Sequence, residues 1–437
     1  MADAVCIITI ECIFPDMLAT PEIIREAGQR AQLTAQLPRW REAPLYREAL
    51  AGCREAGPEC LQKLPLLGKP AMRENFPRNF LGEQASLEAL QEKNLIELEH
   101  TSGTTSDRLP VIFGRGWWDA QEQRALRLNA VVAKVLDEFP HARRVTITSP
   151  SCNGLTCPTV WMSREQRVIN QSLFVNLARI PFLISEAELA RMAQEITGWT
   201  PVFLDADPVH AVWFALYCER RGIRFPSLKF ILSSYEFTSV VHRKILTRVF
   251  GVPVFNLYGS TETGHLLMEN ERGEMKQSYD TAYLEIIDRD ARNIGDLVVT
   301  TLSNDFMPLL RYRIGDLAER IMQPYGNSFI VHGRIRDVLT AGDGSRVTTW
   351  QVDQCLVDAA SIAHYELRQD VQGECTFRFV PDATGPTEET LNDVTARLET
   401  LLQTRGAISA EAMTTLVPAA SGKFRLTCRV TTDKVGA

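Results

Sequence analysis

The sequence predicts an α/β protein with a large N-terminal domain of mainly parallel sheets wrapped by helices, a β-rich subdomain, and a small α+β C-terminal domain. Short apolar stretches such as FILSSYEF and VPVFNLYGS alternate with helix-like stretches, and each ends in a polar loop. This alternation is typical of a parallel sheet whose ligands bind where the strands end. The 437 residues exceed the size of most single hydrophobic cores, so we expect at least two domains.

The N-terminal region begins with helical spacing of apolar residues over 17–63, which Pro38, Pro44 and Pro58 are predicted to break. Between about 95 and 115 the pattern changes to two strand-like stretches joined by a polar loop rich in hydroxyl groups. A helix over 119–138 and a strand over 144–148 are predicted to follow.

The second half of the chain is predicted to be richer in strands. The stretches LVVTTL, LLRYRIGDLAER and FIVHGRIRDVLTAGDG indicate the β-rich subdomain. Beyond it we expect helices near 350–360 and 386–404, strands near 364–380, and a final strand before Lys423. These elements suffice for a small domain. We therefore predict domains at 1–334 and 335–437.

Composition limits the classes of partner. The net charge of -7 is spread over the chain without a basic tract, which argues against nucleic acid and anionic membranes and favours a small molecule. Ten scattered cysteines contain no CxxC pair, so we expect reduced thiols in a cytoplasmic protein, without a zinc site or disulfide framework. Neither a basic N-terminal region nor an 18-residue apolar run is found, so no signal peptide or membrane span is predicted.

Residues 101–106 read TSGTTS and place five hydroxyl groups around one glycine. Hydroxyls and backbone amides can donate to polyphosphate oxygens, which makes this loop a candidate triphosphate site. An ordinary Ser/Thr turn between two strands is the alternative. The loop lacks the lysine of a Walker A motif, and the absence of GxGxxG after a first strand argues against a nicotinamide-dependent dehydrogenase. The candidate phosphate ligands are Thr101, Ser102, Gly103, Thr104 and Thr105.

Four later segments, NLYGSTETG, RYRIGDLAER, GRIRDVL and SGKFR, follow that loop in the order and approximate spacing of the adenylate-forming superfamily. The chain resembles this superfamily over nearly all its length. APLYREAL and LPLLGKPAMRENFP are similar to the N-terminal region of its phenylacetate-CoA ligase family. The resemblance implies an ATP-dependent ligase that activates an aromatic acid as its acyl-adenylate, transfers it to coenzyme A, and has a mobile C-terminal domain.

The resemblance also implies roles for the nucleotide-binding residues. Tyr258 would stack on adenine, Thr261 would contact the α-phosphate, and Glu262 would hold Mg²⁺, for which a carboxylate is a suitable hard ligand. Asp316 would accept hydrogen bonds from both ribose hydroxyls, and Arg334 would contact the ribose or phosphate edge. Further residues predicted in this nucleotide site are Ser234, Tyr235, Glu236, Gly259 and Ser260.

Lys423 in SGKFR resembles the lysine that neutralises charge at the carboxylate and α-phosphate during adenylation. Arg336 stands where the superfamily usually has aspartate or lysine as its hinge. An acyl pocket is expected at Phe237, Gly259 and His265, although Phe237 also suits a core position and His265 a structural histidine. The phosphate loop departs from the family in having Ser106 where glycine is usual.

Two alternative functions remain open from the sequence. A stand-alone adenylation enzyme would load the same acyl group onto the phosphopantetheine thiol of a carrier protein. A ligand-binding or scaffold protein could keep the fold without the chemistry, but the presence of Glu262, Asp316 and Lys423 together argues against it. A monomer or homodimer is expected.

Overall fold

The computed structural model describes residues 21–82, 86–101, 108–150, 162–323, 326–404, 406–419 and 421–430. Its α-helices are α1 Pro21–Glu42, α2 Pro44–Arg47, α3 Pro58–Leu61, α4 Lys69–Arg73, α5 Arg78–Leu81, α6 Leu87–Glu92, α7 Trp117–Leu126, α8 Ala130–Glu138, α9 Glu186–Trp199, α10 Pro208–Arg221, α11 Val240–Phe250, α12 Thr349–Gln354 and α13 Glu388–Leu402. Short 3-10 helices lie at Glu165–Arg167, Pro181–Leu183 and Ile335–Asp337.

The strands are β1 Ile96–His100, β2 Pro110–Gly114, β3 Arg144–Ile147, β4 Val168–Ile169, β5 Ser172–Phe174, β6 Phe203–Ala206, β7 Phe230–Ser233, β8 Val254–Ser260, β9 Gly264–Glu269, β10 Met275–Gln277, β11 Ala282–Ile287, β12 Gly295–Thr301, β13 Tyr312–Ile321, β14 Ser328–Arg334, β15 Leu339–Thr340, β16 Arg346–Val347, β17 Ile362–Gln369, β18 Cys375–Pro381, β19 Ser409–Ala412 and β20 Thr427–Arg429.

A twelve-stranded sheet dominates the fold, in the order β11-β12-β13-β14-β10-β9-β8-β7-β6-β3-β5-β4. Strands β5, β3, β6, β7 and β8 run parallel, as the alternating pattern predicts. From β8 onward the pairing is antiparallel. The α/β fold class is confirmed, and the β-rich segment extends the parallel strands by hydrogen bonding through β8 and β9.

Helix capping fixes where α10 and α11 begin. The side chain of Asp207 accepts from the backbone N–H groups of Val209 and His210, and Ser239 accepts from Val241. Such caps satisfy N–H groups that lack a partner in the first helical turn. Because α10 follows β6 and α11 follows β7, both helix N-termini lie at the carboxyl ends of the parallel strands.

Residues 362–429 contribute a separate four-stranded sheet in the order β19-β18-β17-β20. Its core contains Val352, Tyr365, Phe377 and Leu398, which are completely buried. The predicted helices and strands after Arg334 are present, but the last strand, β20, begins after Lys423 instead of before it. The proposed boundary at Arg334 coincides with the end of β14.

Two further sequence expectations are wrong, and the helix expected over 119–138 is divided into α7 and α8. Helix α1 continues through Pro38, because buried Leu33, Leu37 and Trp40 hold its last turns against the core. Cys53 and Cys60 form a disulfide, so the expectation of reduced thiols fails for this pair.

The turn between α2 and α3 brings the Cα atoms of these two cysteines to 6.7 Å, within the range that a disulfide spans. A separation of seven residues gives no such signal in the sequence. Within the described residues, no group of three His, Cys, Asp or Glu side chains forms a metal cluster. Across the same residues, no helix has the length and apolarity that a membrane span requires.

Candidate active site

A cavity of about 1190 Å³ opens at the carboxyl ends of β6, β7 and β8. The C-terminal part of the chain closes one side of it through the segment around Lys423. Polar side chains from distant parts of the sequence share its wall, including Asp205, Tyr235, Tyr258, Asp316, Arg334 and Lys423. The position agrees with the general rule that ligands of parallel sheets bind beyond the strand ends.

Tyr258, Asp316 and Arg334 form one hydrogen-bonded group. The hydroxyl of Tyr258 donates to Oδ2 of Asp316 over 2.7 Å, and Nε of Arg334 lies 3.1 Å from Oδ1. Asp316 and Arg334 are direct partners in the register of β13 and β14, which explains their contact. Burial and the neighbouring Asp316 carboxylate raise the pKa of Tyr258 well above its ordinary value. The phenol therefore stays protonated and donates to Asp316.

Glu262 is buried and follows Thr261, which lines the cavity. The hydroxyl of Tyr312 donates to its Oε1 over 2.9 Å, and Nζ of Lys69 lies 3.4 Å from the same atom. Burial alone would raise the pKa of Glu262, but Lys69 and hydrogen bonds from Tyr312 and Ser260 outweigh it and lower the pKa. Glu262 is therefore an ionised carboxylate at neutral pH.

The turn after β8 is built around close backbone approaches. A Cβ atom on Gly259 would lie 2.1 Å from the carbonyl oxygen of Gly264, so only glycine fits there. The hydroxyls of Ser260 and Thr263 lie 3.0 Å apart and hold the turn. Thr261 lines the cavity at its tip.

Asp205 organises the loop after β7. Its two oxygens accept hydrogen bonds from the Ser234 hydroxyl at 2.7 Å and the Tyr235 hydroxyl at 2.9 Å. Burial raises the pKa of Asp205, although the charge of Arg144 opposes this. Tyr235 has a φ of 73°, in the left-handed region that is uncommon for a non-glycine residue. This backbone conformation turns the carbonyl oxygen of Tyr235 towards Lys423.

Lys423 reaches this loop from the C-terminal part of the chain. Its Nζ donates to the carbonyl oxygen of Tyr235 over 2.6 Å. The next residue, Phe424, donates its backbone N–H to Oε1 of Glu236 over 2.9 Å. The structure thus brings the predicted Lys423, Tyr235 and Glu236 together.

The remaining predicted residues have different surroundings. Phe237 packs partly against the hydrophobic core of the C-terminal part and also lines the cavity. His265 packs edge-on against Trp118 at 4.7 Å between ring centres, and burial lowers its pKa to about 4. Arg336 is exposed in the 3-10 helix after β14.

Only the first residue of the predicted phosphate loop is described. Thr101 is buried, and its hydroxyl oxygen accepts from the backbone N–H of Leu109 over 3.0 Å. This bond joins Thr101, which directly follows β1, to Leu109, which directly precedes β2. Ser102, Gly103, Thr104 and Thr105 lie outside the described residues, as does Ser106.

Sequence reasoning missed Lys69, Asp205, Asp207 and Tyr312 as site residues. Tyr312 could have been found, because it precedes Asp316 by four residues on one strand and so lies on the same face. Asp205 lies in the short strand β6 and Asp207 directly after it, where the sequence carries only a weak signal. Lys69 carries no local signal, since only the packing of α4 brings it to Glu262.

No family model matches the chain, but known proteins are similar to it in sequence. Phenylacetate-coenzyme A ligase of Pseudomonas putida is 25% identical over 323 residues, which are 68% of this chain and 67% of that protein. The enzyme of the same name from Thermus thermophilus is 29% identical over 297 residues, 64% of this chain and 61% of that protein. The chain is similar in sequence to these two phenylacetate-coenzyme A ligases.

Solved structures have a similar fold. A 2-hydroxyisobutyryl-CoA ligase in the postadenylation state aligns with a TM-score of 0.68 at 16% identity, covering 96% of this chain and 94% of the other. An anthranilate CoA ligase in complex with anthranoyl-AMP aligns with a TM-score of 0.54 at 15% identity, covering 75% and 64%. The α/β fold expected from the sequence is shared with these solved structures.

Proposed function

We propose that the protein is an ATP-dependent acid–CoA ligase that activates an aromatic carboxylic acid as its acyl-adenylate and transfers the acyl group to coenzyme A. The observation that carries this proposal is the convergence of Tyr258, Asp316 and Lys423, from three separate parts of the chain, on one cavity. An aromatic acid is supported by the names of the relatives, which act on phenylacetate and anthranilate.

The nucleotide would lie across the Tyr258–Asp316–Arg334 group. Each carboxylate oxygen of Asp316 has one partner within the protein, Tyr258 at Oδ2 and Arg334 at Oδ1. Each oxygen has a further lone pair that can accept a hydrogen bond from a ribose hydroxyl. The aromatic face of Tyr258 offers a surface for adenine, while its hydroxyl keeps Asp316 in place. Thr261 would contact the α-phosphate, and 101–105 the outer phosphates.

The residues present fit a magnesium ion bound with the nucleotide. Glu262 supplies a single ionised carboxylate, and no cluster of three acidic, His or Cys side chains occurs in the described part of the chain. Mg²⁺ commonly binds through one or two carboxylates together with phosphate oxygens and waters, so one glutamate suffices. When bound, the ion would withdraw negative charge from the phosphates.

In the first half-reaction, a carboxylate oxygen of the acid attacks the α-phosphorus of ATP. A new O–P bond forms, the bond from the α-phosphorus to the bridging oxygen of the β-phosphate breaks, and pyrophosphate leaves with the electron pair. The reactants repel each other because both are anions. The ammonium group of Lys423, held at the cavity wall, offsets this repulsion, and a preorganised charge of this kind is worth a few kcal/mol.

In the second half-reaction, the thiolate of coenzyme A attacks the acyl carbon. A C–S bond forms, the C–O bond to AMP breaks, and AMP leaves. We propose that the part of the chain after Arg334 rotates about Arg336 between the half-reactions, withdrawing Lys423 so that the thiol can enter. Arg336 is exposed, so its backbone can change without disturbing the core.

Pyrophosphate release tests the proposal. Purified protein would be given ATP, Mg²⁺ and, in separate reactions, benzoate, phenylacetate or anthranilate, followed by coenzyme A or a phosphopantetheinylated carrier protein. We expect acid-dependent pyrophosphate release with at least one aromatic acid, and a thioester of coenzyme A detected by mass spectrometry. Activation of aliphatic acids alone would contradict the proposed aromatic substrate. Acyl transfer to the carrier protein alone would show that the carrier protein, and not coenzyme A, is the acyl acceptor.

A further inference from the structure

Residues 235–242, which follow β7 and begin α11, form the surface on which the C-terminal part of the chain docks. We name this stretch the docking segment. Lys423 and Phe424 bind its first two residues, Asp353 of α12 accepts from Val240 over 3.0 Å, and the rings of His242 and His364 contact each other over 3.0 Å. Three separate elements of the C-terminal part therefore meet this one stretch.

Glu236 contacts Phe424, the residue that follows Lys423. Its Oε1 accepts the backbone N–H of Phe424 over 2.9 Å, while Nζ of Lys423 donates to the backbone of Tyr235 over 2.6 Å. The Phe424 ring also packs against His364 at 5.0 Å and Phe182 at 5.7 Å between ring centres. The backbone around Lys423 is thus held by the aromatic cluster, by the carboxyl group of Glu236, and by the Ala419 N–H, which donates to the Lys423 carbonyl oxygen over 2.8 Å.

The buried carboxyl group of Asp207 disfavours ionisation of the Glu236 carboxyl group. Asp207 is completely buried and caps α10, with its Oδ1 accepting from the N–H groups of Val209 and His210 at 3.0 and 3.3 Å. Its Oδ2 has no N–H or hydroxyl donor among the described residues, yet the carboxyl group of Glu236 lies within hydrogen-bonding reach. Two adjacent buried carboxyl groups cannot both remain ionised, so one of them keeps a proton.

The surroundings assign that proton to Glu236. Burial and the negative charge of Asp207 raise the pKa of Glu236 well above its ordinary value, although Lys423 opposes this. Burial also acts to raise the pKa of Asp207, but His210 and the N–H groups at the start of α10 outweigh it and lower the pKa. The proton of the pair is therefore assigned to Glu236, whose Oε1 accepts from the Phe424 N–H.

We propose that Glu236 is a positioning residue, which holds the Phe424 backbone through a carboxyl group joined to Asp207 by a shared proton and so fixes where Lys423 lies during adenylation. This rests on the proposed function, in which Lys423 serves the first half-reaction. The neutral state of the Glu236 carboxyl group is part of this positioning role. An ionised Glu236 would attract the Lys423 ammonium and compete with the substrate carboxylate, whereas a neutral carboxyl group holds the backbone and leaves that charge available.

The experiment compares Glu236→Gln, Glu236→Ala and Asp358→Ala. Glutamine has the shape and neutrality of protonated glutamate, with an oxygen for Phe424 and an N–H donor for Asp207. Alanine removes both bonds. Asp358→Ala breaks only an exposed ion pair with Arg397 in the C-terminal part, where such pairs contribute little, and serves as the matched control.

Both half-reactions would be measured with whichever of benzoate, phenylacetate or anthranilate the unmodified enzyme activates best. For Glu236→Ala we expect kcat of acid-dependent ATP–pyrophosphate exchange to fall about tenfold or more, with KM for ATP changed less than about twofold. Thioester formation from supplied acyl-adenylate and coenzyme A should change less than about twofold. Glu236→Gln should stay near wild type in both assays, as should Asp358→Ala.

Other outcomes overturn the proposal. A loss in Glu236→Gln as large as in Glu236→Ala would show that the negative charge matters instead of the hydrogen bonds. A rise in KM for ATP at unchanged kcat would make Glu236 a nucleotide contact, and equal losses in both half-reactions would mean a general structural role. If Glu236→Ala does not fold, Glu236→Met keeps the volume, removes the bonds and carries the same expectations.

Hydrogen exchange separates this proposal from the function on which it rests. Exchange of the Phe424 amide, followed by mass spectrometry with single-residue fragmentation, should be faster in Glu236→Ala than in wild type and unchanged in Glu236→Gln. That result needs no substrate, so it can hold even if none of the acids is activated. Unchanged exchange of Phe424 in Glu236→Ala would contradict the contact itself.

Discussion

Asp353→Asn should remove a pH-dependent contribution to the free energy of unfolding. Asp353 is 2% exposed, and it joins α12 to the docking segment by accepting from the Val240 N–H at 3.0 Å and from Ser239. It also accepts from the Tyr365 hydroxyl at 2.8 Å. Burial raises the pKa of Asp353 to about 6, although the hydrogen bonds from Ser239, Tyr365 and Val240 oppose the rise.

The sign and size of the effect follow from this raised pKa. An aspartate in the unfolded chain loses its proton near pH ~3.9, so between that value and about 6 the folded state holds a proton that the unfolded state has released. Protonation of Asp353 therefore favours folding as pH falls, and its contribution is lost as pH rises towards the folded pKa. One pKa unit is worth about 1.4 kcal/mol, so the full effect is at most about 3 kcal/mol, of which about 1 kcal/mol falls between pH ~5 and ~7.

Urea denaturation followed by tryptophan fluorescence at about pH 5 and about pH 7 measures this contribution. The stability of wild type relative to Asp353→Asn should fall by about 1 kcal/mol between the two pH values, because asparagine cannot ionise. Asp358→Asn, an exposed neighbour in the same part of the chain, controls for the change in net charge. If wild type and Asp353→Asn change in parallel with pH, the ionisation of Asp353 does not influence folding.

Three further substitutions test the proposed catalytic roles. Tyr258→Phe removes the hydrogen bond to the charged carboxylate of Asp316 and should raise KM for ATP about tenfold. An unchanged KM would mean that this Tyr258–Asp316 bond does not support nucleotide binding. Lys423→Ala should lower the rate of acid-dependent ATP–pyrophosphate exchange about a hundredfold. Lys229→Ala, at an exposed position, should leave the rate unchanged and serves as the control. An undiminished rate in Lys423→Ala would refute the role of Lys423 in adenylation. Arg336→Pro should slow thioester formation more than adenylation, measured in separate half-reactions; equal slowing would contradict a hinge at this position.

The sequence predicts the fold class well because its signals are local. Alternating apolar and helix-like stretches predict the parallel strands β7 and β8, and the resemblance of NLYGSTETG and RYRIGDLAER to superfamily motifs predicts roles for Tyr258 and Asp316. The structure places these two residues in direct contact although they are 58 positions apart in the chain.

The partners of the site residues could not be predicted in the same way. Contacts such as Lys69 with Glu262 and Phe424 with Glu236 depend on how whole elements pack, and no periodic pattern records which distant side chains will meet. The twelve-stranded sheet illustrates the same limit, since the pattern indicates the antiparallel strands but not their pairing with β8 through β9. The Cys53–Cys60 disulfide likewise depends on a turn that carries no motif.

We propose that residues from separate parts of the chain surround one acyl-adenylate. A crystal structure with the non-hydrolysable analogue of benzoyl-AMP in which a sulfamate replaces the phosphate would show whether they do. We expect the adenine against Tyr258, the ribose hydroxyls at Asp316 and the sulfamate within reach of Lys423. An analogue bound in a cavity that none of these three residues lines would contradict the account.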